Sequence, residues 1–283
     1  MLDLQGDVKL TTTSNDTLFA EGIVSALSGD YTIGGLNPSF NSFTEANTAL
    51  RQRGISSWVR FNVRDGVYNE TMLMRPIVGS LDEGDSIVFV SENGDASLVN
   101  LTTSQYSPTL VELRGAEHVT FRDLTLSTTY LFNGLGLVNI DSTSTNISFQ
   151  NCVFRDTLYG TSGDVLVRTS SSYNNPNTHI ENCSFENGRY GIDARGNGGT
   201  RETGLIIENS TFTNQYYRGI YFDDQEDFTI MGNTISSNRG YTGFYGIYGY
   251  TSRNGGEISK NTILGNTDDG IYLYDVDGTN GNS

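Results

Sequence analysis

Ile180-Glu181-Asn182-Cys183-Ser184-Phe185 is the stretch of sequence that decides the fold, because the chain repeats it with small changes. Edited copies start at Phe121, Phe149, Ile207, Ile230 and Ile258, so successive copies begin 23 to 31 residues apart. A strand-and-turn unit that recurs at such a period is typical of a solenoid, in which each unit buries its apolar side by stacking on its neighbours. We therefore predict one elongated solenoid.

Each copy alternates apolar and polar residues, which is the period of a half-buried strand. Asparagine suits the turns because it tolerates the left-handed conformation and its amide can bond along a stack. Asn182 and Asn209 are accordingly predicted to be buried corner residues whose amides bond within the stack. A Gly-Ile pair then starts a further strand at Gly191, Gly219, Gly246 and Gly270. These features predict an all-β fold of the parallel β-helix type.

The segment 42–54 carries the one strong helical pattern, and we expect it to cap the first coil. Ser42 suits the N-cap, with Glu45 three residues later, and Gly54 suits the end of the helix. A cap is needed because an open solenoid end exposes apolar core and a free strand edge. We assign residues 29–283 to the β-helix domain, expected to be truncated at its C-terminus, and residues 1–28 to an N-terminal extension.

The net charge of the chain limits the kinds of partner that it is expected to bind. With 33 acidic and 17 basic residues, the net charge is −16. Such a chain lacks the basic patch that nucleic acids and anionic membranes require, and it disfavours acidic polysaccharides unless cations bridge the two. No apolar run approaches the ~18 residues of a membrane span. We expect no nucleic-acid partner and no membrane insertion, and an extracellular or cell-surface location within a longer multidomain chain whose signal peptide is not in this sequence.

Two cysteines, Cys152 and Cys183, fall in the same column of consecutive repeats. One interpretation is a pair of small buried side chains stacked in register. The other is a disulfide between neighbouring coils, which adjacent strands permit if the side chains turn towards each other. Two cysteines alone do not supply the ligands of a zinc site.

The repeat resembles the right-handed parallel β-helix of the pectin-lyase-like superfamily. The opening, with Phe43-Thr44-Glu45-Ala46 and Gly66-Val67-Tyr68-Asn69-Glu70, also resembles the start of pectin methylesterases. The chain is similar as well to β-helix modules in large surface proteins of gliding, Bacteroidetes-type bacteria. The resemblance covers roughly residues 29–275. It implies a right-handed, single-stranded solenoid with a short N-terminal capping helix, a scaffold that hosts lyases, hydrolases, esterases, epimerases and adhesins alike.

Three enzyme families of this superfamily have site motifs that the chain matches only in part. Asp156-Thr157-Leu158-Tyr159 resembles the acid/base stretch of pectin methylesterases, but Arg155 replaces its Gln and no nucleophilic Val-Asp-Phe follows. Asn266-Thr267-Asp268-Asp269-Gly270 resembles a polygalacturonase motif with one extra residue, and two nearby carboxylates suit glycoside hydrolysis. Tyr190-Gly191-Ile192-Asp193 resembles a C5-epimerase motif whose histidine is missing here.

A lyase needs a base beside a group that neutralises a uronate carboxylate. Arg189, Arg195 and Arg218 are candidates for these roles, with Tyr221 as a partner. The alternative interpretation is that these arginines are surface charges that pair with the many acids. Of the two histidines, His118 is predicted to precede a strand and His179 to be a lone outward residue, and neither is favoured as catalytic.

The most prominent surface pattern is a strip of aromatic residues on the Gly-Ile strands. Alternation predicts two outward columns, the first with Asp193, Tyr221, Tyr248 and Tyr272, the second with Arg195, Asp223, Tyr250 and Tyr274. Because neighbouring coils stack about 4.8 Å apart, the rings are expected to form a continuous strip edged by carboxylates. Exposed aromatic strips on rigid scaffolds are typical of binding sites. The alternative is that stacked tyrosines only stabilise the sheet.

We predict a secreted or cell-surface module that binds a polysaccharide or cell-surface glycan, as an adhesin does. The tyrosines of the strip would contact the sugars, while Asp193 and Asp223 accept hydrogen bonds from hydroxyls. One alternative is a polysaccharide-acting lyase or glycoside hydrolase, with a carbohydrate esterase less favoured, and another is a structural spacer. No cofactor is required. Calcium is the one candidate ion, at the oxygen-rich residues Asp275, Asp277 and Asn280.

Overall fold

A computed structural model describes residues 25–79, 86–103, 109–129, 136–157, 165–265 and 268–277. They form three parallel sheets, here called A, B and C, around a common core. Sheets B and C each have eight strands, and sheet A has nine because one more strand precedes the first complete turn. The predicted all-β parallel β-helix is confirmed. None of the described helices is long and apolar enough to cross a membrane.

The strands are short and follow one another in the order A, B, C along each turn. Sheet A contains Leu27–Ile33, Ile55–Val63, Ile87–Ser91, Glu117–Arg122, Thr145–Gln150, Thr178–Glu181, Ile206–Glu208, Thr229–Met231 and Glu257–Ser259. Sheet B contains Gly66–Asn69, Val99–Thr103, Thr125–Thr128, Val153–Asp156, Ser184–Glu186, Thr211–Thr213, Thr234–Ser237 and Thr262–Gly265. Sheet C contains Met72–Met74, Val111–Arg114, Val138–Asp141, Val165–Thr169, Tyr190–Arg195, Arg218–Asp223, Tyr245–Tyr250 and Asp269–Tyr274.

The corner between sheets A and B is made by the third residue of each repeat. The backbone φ is positive at all six of these positions, Asp123, Asn151, Asn182, Asn209, Gly232 and Lys260. Asparagine, aspartate and glycine adopt this left-handed conformation at lower cost than other residues. The sequence therefore repeats a backbone requirement at this position, and the predicted turns are confirmed.

The predicted burial of Asn182 and Asn209 is wrong, because both side chains are exposed. The buried polar ladder is formed by the next residue of the later repeats, Ser210, Asn233 and Asn261. Asn233 Oδ1 accepts a hydrogen bond from the Ser210 N–H at 2.9 Å, and the Asn233 N–H donates to Asn261 Oδ1 at 2.9 Å. The left-handed corner residue points to solvent and its successor points inward, so the ladder lies one column later than predicted.

Cys152 and Cys183 occupy the same inward column two turns earlier. Both thiols are free and buried, and the Cys152 N–H donates to Cys183 Sγ at 3.4 Å. Burial raises the pKa of the Cys152 thiol well above its ordinary value, with the neighbouring Cys183 adding to the effect. The structure thus has the stacked pair rather than the disulfide.

Stacked phenylalanines run along the core. On sheet A, ring centroids are 4.8 Å apart between Phe61 and Phe89 and 5.4 Å apart between Phe89 and Phe121. On sheet B, Phe185 lies 4.7 Å from Phe154 and 4.5 Å from Phe212. The sheet A rings lie at the opening position of the repeated phrase and the sheet B rings at its closing position, so each of these turns has a large apolar contact with the next.

The N-terminal cap is a helix, α1, spanning Phe43–Arg53. Ser42 Oγ accepts from the Glu45 N–H at 3.0 Å, and Gly54 ends the helix, so both predicted caps are confirmed. The helix follows the strand Leu27–Ile33, which adds to sheet A without counterparts in sheets B and C. Buried Phe43, Ala46 and Leu50 therefore cover the end of the core where those counterparts would lie.

The glycine of the Gly-Ile pair is required by close packing between turns. A Cβ added to Gly219 would lie 2.7 Å from the Gly246 carbonyl oxygen and 2.6 Å from Ile235 Cγ2. Any larger residue at this position must push neighbouring turns apart. The pair accordingly lies inside the sheet C strands rather than in the turn before them.

Glu202 belongs to a two-stranded sheet, Glu202–Thr203 with Gln225–Glu226, beside the end of sheet C. Its carboxyl is 1% exposed, with Oε2 accepting from Thr169 Oγ1 at 3.3 Å and Oε1 lacking a partner among the described residues. Burial raises its pKa to about 8, against the lowering effect of hydrogen bonds from Gln225 and Thr169.

We expect Glu202 to make stability pH-dependent. Its folded pKa lies above the unfolded value of about 4.3, so the native state holds the extra proton. Its stabilising contribution is complete below about pH 4 and is lost as pH rises through 8. Urea unfolding at pH 5 to 8.5 should show this loss in the wild type and a flatter profile in Glu202→Gln. Parallel profiles would contradict the assignment.

Candidate functional site

The outer face of sheet C in the last four turns carries the aromatic strip. Pairing places Asp193, Tyr221, Tyr248 and Tyr272 in one row. It places Arg195, Asp223, Tyr250 and Tyr274 in the next row. The two rows are those predicted from alternation, and we call them together with Arg218, Tyr217 and Tyr245 the tyrosine strip.

The rings of the strip stack from turn to turn. Tyr248 and Tyr272 have centroids 4.7 Å apart with an interplanar angle of 25°, and Tyr250 and Tyr274 have centroids 5.0 Å apart at 11°. Tyr245 meets Tyr248 edge-to-face at 5.1 Å. Parallel strands on a rigid core hold these rings in fixed spacing, which gives the outer face a ridge of aromatic surface.

Arg218 lies at the centre of the strip, surrounded by tyrosine rings. Its guanidinium carbon lies 3.9 Å from the ring centroid of Tyr248, 4.6 Å from Tyr221 and 4.8 Å from Tyr217. Arg218 Nε is buried and has no hydrogen-bond partner among the described residues. A cation stacked on several aromatic faces is stabilised by their quadrupoles and keeps N–H groups available for an oxygen acceptor.

The carboxylates of the strip are held by donors of the protein. Asp193 accepts two hydrogen bonds from Arg195, at 2.6 and 3.1 Å. Asp223 accepts from the Tyr221 hydroxyl at 3.1 Å and from Thr251 Oγ1. Asp193 and Asp223 therefore position Arg195 and Tyr221, whereas Arg218 packs against tyrosine rings.

Two members of the first row are covered, although alternation predicted exposed side chains. Asp193 is 3% and Tyr221 8% exposed, whereas Tyr274 is 53% exposed. The reason is that the Arg195 guanidinium bonds to Asp193 and lies 5.0 Å from the Tyr221 centroid, while Arg218 lies over the same ring. Alternation gives the direction of a side chain but not what covers it.

The pKa values of two tyrosines in the strip, Tyr221 and Tyr245, are raised, so their hydroxyls stay protonated near neutral pH. Burial and the nearby Asp223 charge raise the pKa of Tyr221 far above its ordinary range. A hydrogen bond to Asp268 raises the pKa of Tyr245 to about 12. Burial of Arg195 lowers its pKa, but the hydrogen bond and charge of Asp193 outweigh this and raise it. These groups are suited to donate hydrogen bonds and poorly suited to remove a proton near neutral pH.

The acidic residues at the C-terminal end lie beside the strip. Asp268 accepts from the Tyr245 hydroxyl at 2.9 Å, and Asp269 starts the last strand of sheet C. Both oxygens of Asp275 accept from Arg253 at 2.6 Å, and Asp277 Oδ2 lies 3.9 Å from Arg253 Nε. The third expected calcium ligand, Asn280, lies outside the described residues. Calcium binding here stays a prediction, and it requires the ion to compete with Arg253.

Asp156 ends a strand of sheet B and is fully buried, so it does not belong to the face that carries the strip. Its carbonyl oxygen accepts from Asn187 Nδ2 at 2.9 Å, which ties the corner of one turn to the next. Leu158 and Tyr159 of the same motif lie outside the described residues.

Arg218 is the residue whose position the sequence reasoning did not predict. It stood among three candidate arginines, yet pairing aligns it with Tyr190 and Tyr245, which also precede a Gly-Ile pair. An arginine that stands between two tyrosines of neighbouring turns in this column is the signal that marks it. Arg189 lies at the edge of the same cluster, 5.3 Å from the Tyr190 ring.

Comparisons with known proteins agree with the β-helix fold. A family model described as "Right handed beta helix region" matches residues 136–283. The chain is similar to the GH136 lacto-N-biosidase from Eubacterium ramulus, at 12% identity and a TM-score of 0.58, over 87% of this chain and 55% of that one. It is similar to a pectin methylesterase from Aspergillus niger, at 14% identity and a TM-score of 0.50, over 92% and 89%. No curated protein matches the sequence.

The chain spans about half the length of the lacto-N-biosidase it matches. At these identities the likeness shows a shared fold and does not transfer a site.

Proposed function

Because this chain belongs to the right-handed β-helix family, whose rigid coils present long ordered faces, we propose that it binds glycans through the tyrosine strip. The observation that carries the proposal is the set of stacked rings around Arg218, for which the described residues provide no acidic partner. Flat rings pack against sugar faces, and Arg218 N–H groups donate to sugar oxygens. A secreted or cell-surface protein is the setting in which such a face would meet a polysaccharide.

Tyr248 and Tyr272 would form the central contact surface, with Tyr250 and Tyr274 beside them. Tyr221 is too covered for a large contact and would instead hold Arg218 from below. Asp223 would accept hydrogen bonds from sugar hydroxyls, since it is only partly buried. The negative body favours neutral glycans over polyanions.

The chain's structural neighbours, a lacto-N-biosidase and a pectin methylesterase, act on carbohydrates, which supports a glycan-related role. We favour binding over catalysis because Arg195 is engaged by Asp193 and the phenols are held protonated. The enzyme alternative rests on Asp268 and Asp269, the neighbouring carboxylates at the start of the last sheet C strand.

Replacing Tyr248 with alanine should weaken glycan binding by about 1–3 kcal/mol, because the variant loses the ring that stacks on both Arg218 and Tyr272. The measurement is calorimetry with the best ligand found on a glycan array. Tyr248→Phe should keep most of the affinity, since the stack remains. Tyr173→Ala is the matched control, because Tyr173 is not part of the strip and is 45% exposed in the loop between sheets C and A.

Two outcomes would replace the proposal. If no polysaccharide binds and Tyr248→Ala lowers only the melting temperature, the strip is a structural stack and the chain is a spacer. If the protein cleaves a polysaccharide, and Asp268→Asn or Arg195→Ala abolishes cleavage without unfolding, the enzyme alternative is correct.

A further inference from the structure

A second cluster of polar side chains lies on the outer face of sheet A, on a different sheet from the tyrosine strip. It consists of His179, Glu181 and Glu208, which belong to two neighbouring turns. His179 Nε2 lies 3.0 Å from Glu208 Oε1, and one ligand atom from each residue lies within 4.8 Å of the others. All three side chains are partly exposed, so an ion from solvent can reach them.

We propose that His179, Glu181 and Glu208 bind a divalent transition-metal ion of the zinc class. Imidazole nitrogen and carboxylate oxygen are the donors that such ions combine, at bond lengths of about 2.0–2.2 Å. Two donors at these lengths are about 3.0 Å apart at a right angle and about 3.4 Å apart in a tetrahedron. The 3.0 Å separation between His179 Nε2 and Glu208 Oε1 therefore already suits two ligands of one ion.

The charges of the cluster also favour a cation. Glu181 and Glu208 are direct partners in the parallel pairing, which places two like charges side by side. In the described part of the chain, neither carboxylate forms an ion pair with a lysine or arginine, and His179 is the single basic group in contact. A neutral imidazole leaves the pair uncompensated, whereas a bound divalent ion offsets both charges.

A pocket beside His179 supplies an open side for the ion. It has a volume of about 320 Å³ and is lined by Ser148, Asn146, Asn177 and Ile206 as well as His179. Ser148 pairs with His179 across the turn, and its buried Oγ has no hydrogen-bond partner among the described residues. This hydroxyl next to the imidazole is free to bond a water, and a water is the usual further ligand of an ion that three side chains hold.

The test is metal binding by the full chain after chelator treatment and dialysis. Calorimetry with zinc chloride should show one site, and cobalt chloride should give visible absorption typical of nitrogen and oxygen ligands. His179→Ala and Glu208→Gln should each weaken zinc binding by at least about tenfold, since each removes one of three ligands. Glu208→Gln keeps the size of the side chain, so it stays informative if His179→Ala folds poorly.

His118→Asn is the matched control. His118 is the other histidine of the chain, it also lies on sheet A, and its Nε2 contacts Asn146 Nδ2 at 3.3 Å. Asparagine tolerates the positive φ of 54° at this position, so the backbone is preserved. Zinc affinity should be unchanged in this variant. Absence of zinc binding by the wild type, or equal affinity in wild type and His179→Ala, would overturn the proposal whether or not glycans bind.

Discussion

Phe185→Ala is expected to lower the free energy of unfolding by about 3–5 kcal/mol, the cost of emptying a large buried aromatic site. The ring is fully buried and stacks between Phe154 and Phe212, with interplanar angles of 11° and 4°. Both neighbours are themselves held by the turns above and below, so the cavity cannot collapse without moving three coils. Removing the ring therefore costs transfer energy and stacking together.

Urea unfolding followed by circular dichroism measures this loss. Leu264→Ala is the control, because Leu264 lies in the last strand of sheet B, faces solvent and is 54% exposed. Its effect should stay within ~0.5 kcal/mol. A loss below ~1 kcal/mol for Phe185→Ala would mean that the phenylalanine stack does not hold neighbouring turns together.

Asn233→Leu is expected to lower the free energy of unfolding by about 2–4 kcal/mol. Asn233 is fully buried, its Oδ1 accepts from the Ser210 N–H, and its Nδ2 donates to the Ile207 carbonyl at 2.9 Å. Leucine fills the same space, but it leaves the Ser210 N–H and the Ile207 carbonyl, which belong to the preceding turn, without hydrogen-bond partners. Burial of the leucine side chain offsets part of this cost, so the expected loss is a net value.

The control for this variant is Asn209→Gly at the exposed left-handed corner one turn earlier. Glycine accepts the positive φ of 51°, and the Asn209 side chain is exposed, so stability should change by less than ~1 kcal/mol. Equal losses at the two positions would place the ladder in the corner column, as the sequence alone had suggested. A larger loss at Asn233 supports the column seen in the structure.

Much of the fold could be predicted from the sequence, because short local patterns recur along the chain. Alternation in Ile180-Glu181-Asn182-Cys183-Ser184-Phe185 predicted which side chains face the core. The third residue of this phrase predicted the left-handed corners. Ser42 and Gly54 gave both ends of the helix. The family match shows that the chain belongs to the right-handed β-helix family, and the structural neighbours share this fold, in agreement with the resemblance to the pectin-lyase-like superfamily.

The errors have two causes: a left-handed corner residue interrupts the alternation, and side chains from other positions cover residues that point outward. Asn209 was expected inside and is exposed, because a left-handed residue interrupts the alternation and moves the inward position to Ser210. Asp193 and Tyr221 point outward as expected, yet both are covered by long arginine side chains. The second effect depends on how neighbouring turns stack and is not visible in the strand that carries the residue.

The sequence by itself determined the architecture of this protein, because corner residues and apolar columns recur from turn to turn, joined by glycines in the last four turns, and each states a local requirement. Only the tertiary structure decided which side chains meet across turns. It brought Arg218 under Tyr248 and His179 against Glu208, residues 30 and 29 positions apart in the chain. Turns differ in length, so the meeting of long side chains depends on how the coils stack, and that information is held by no single repeat.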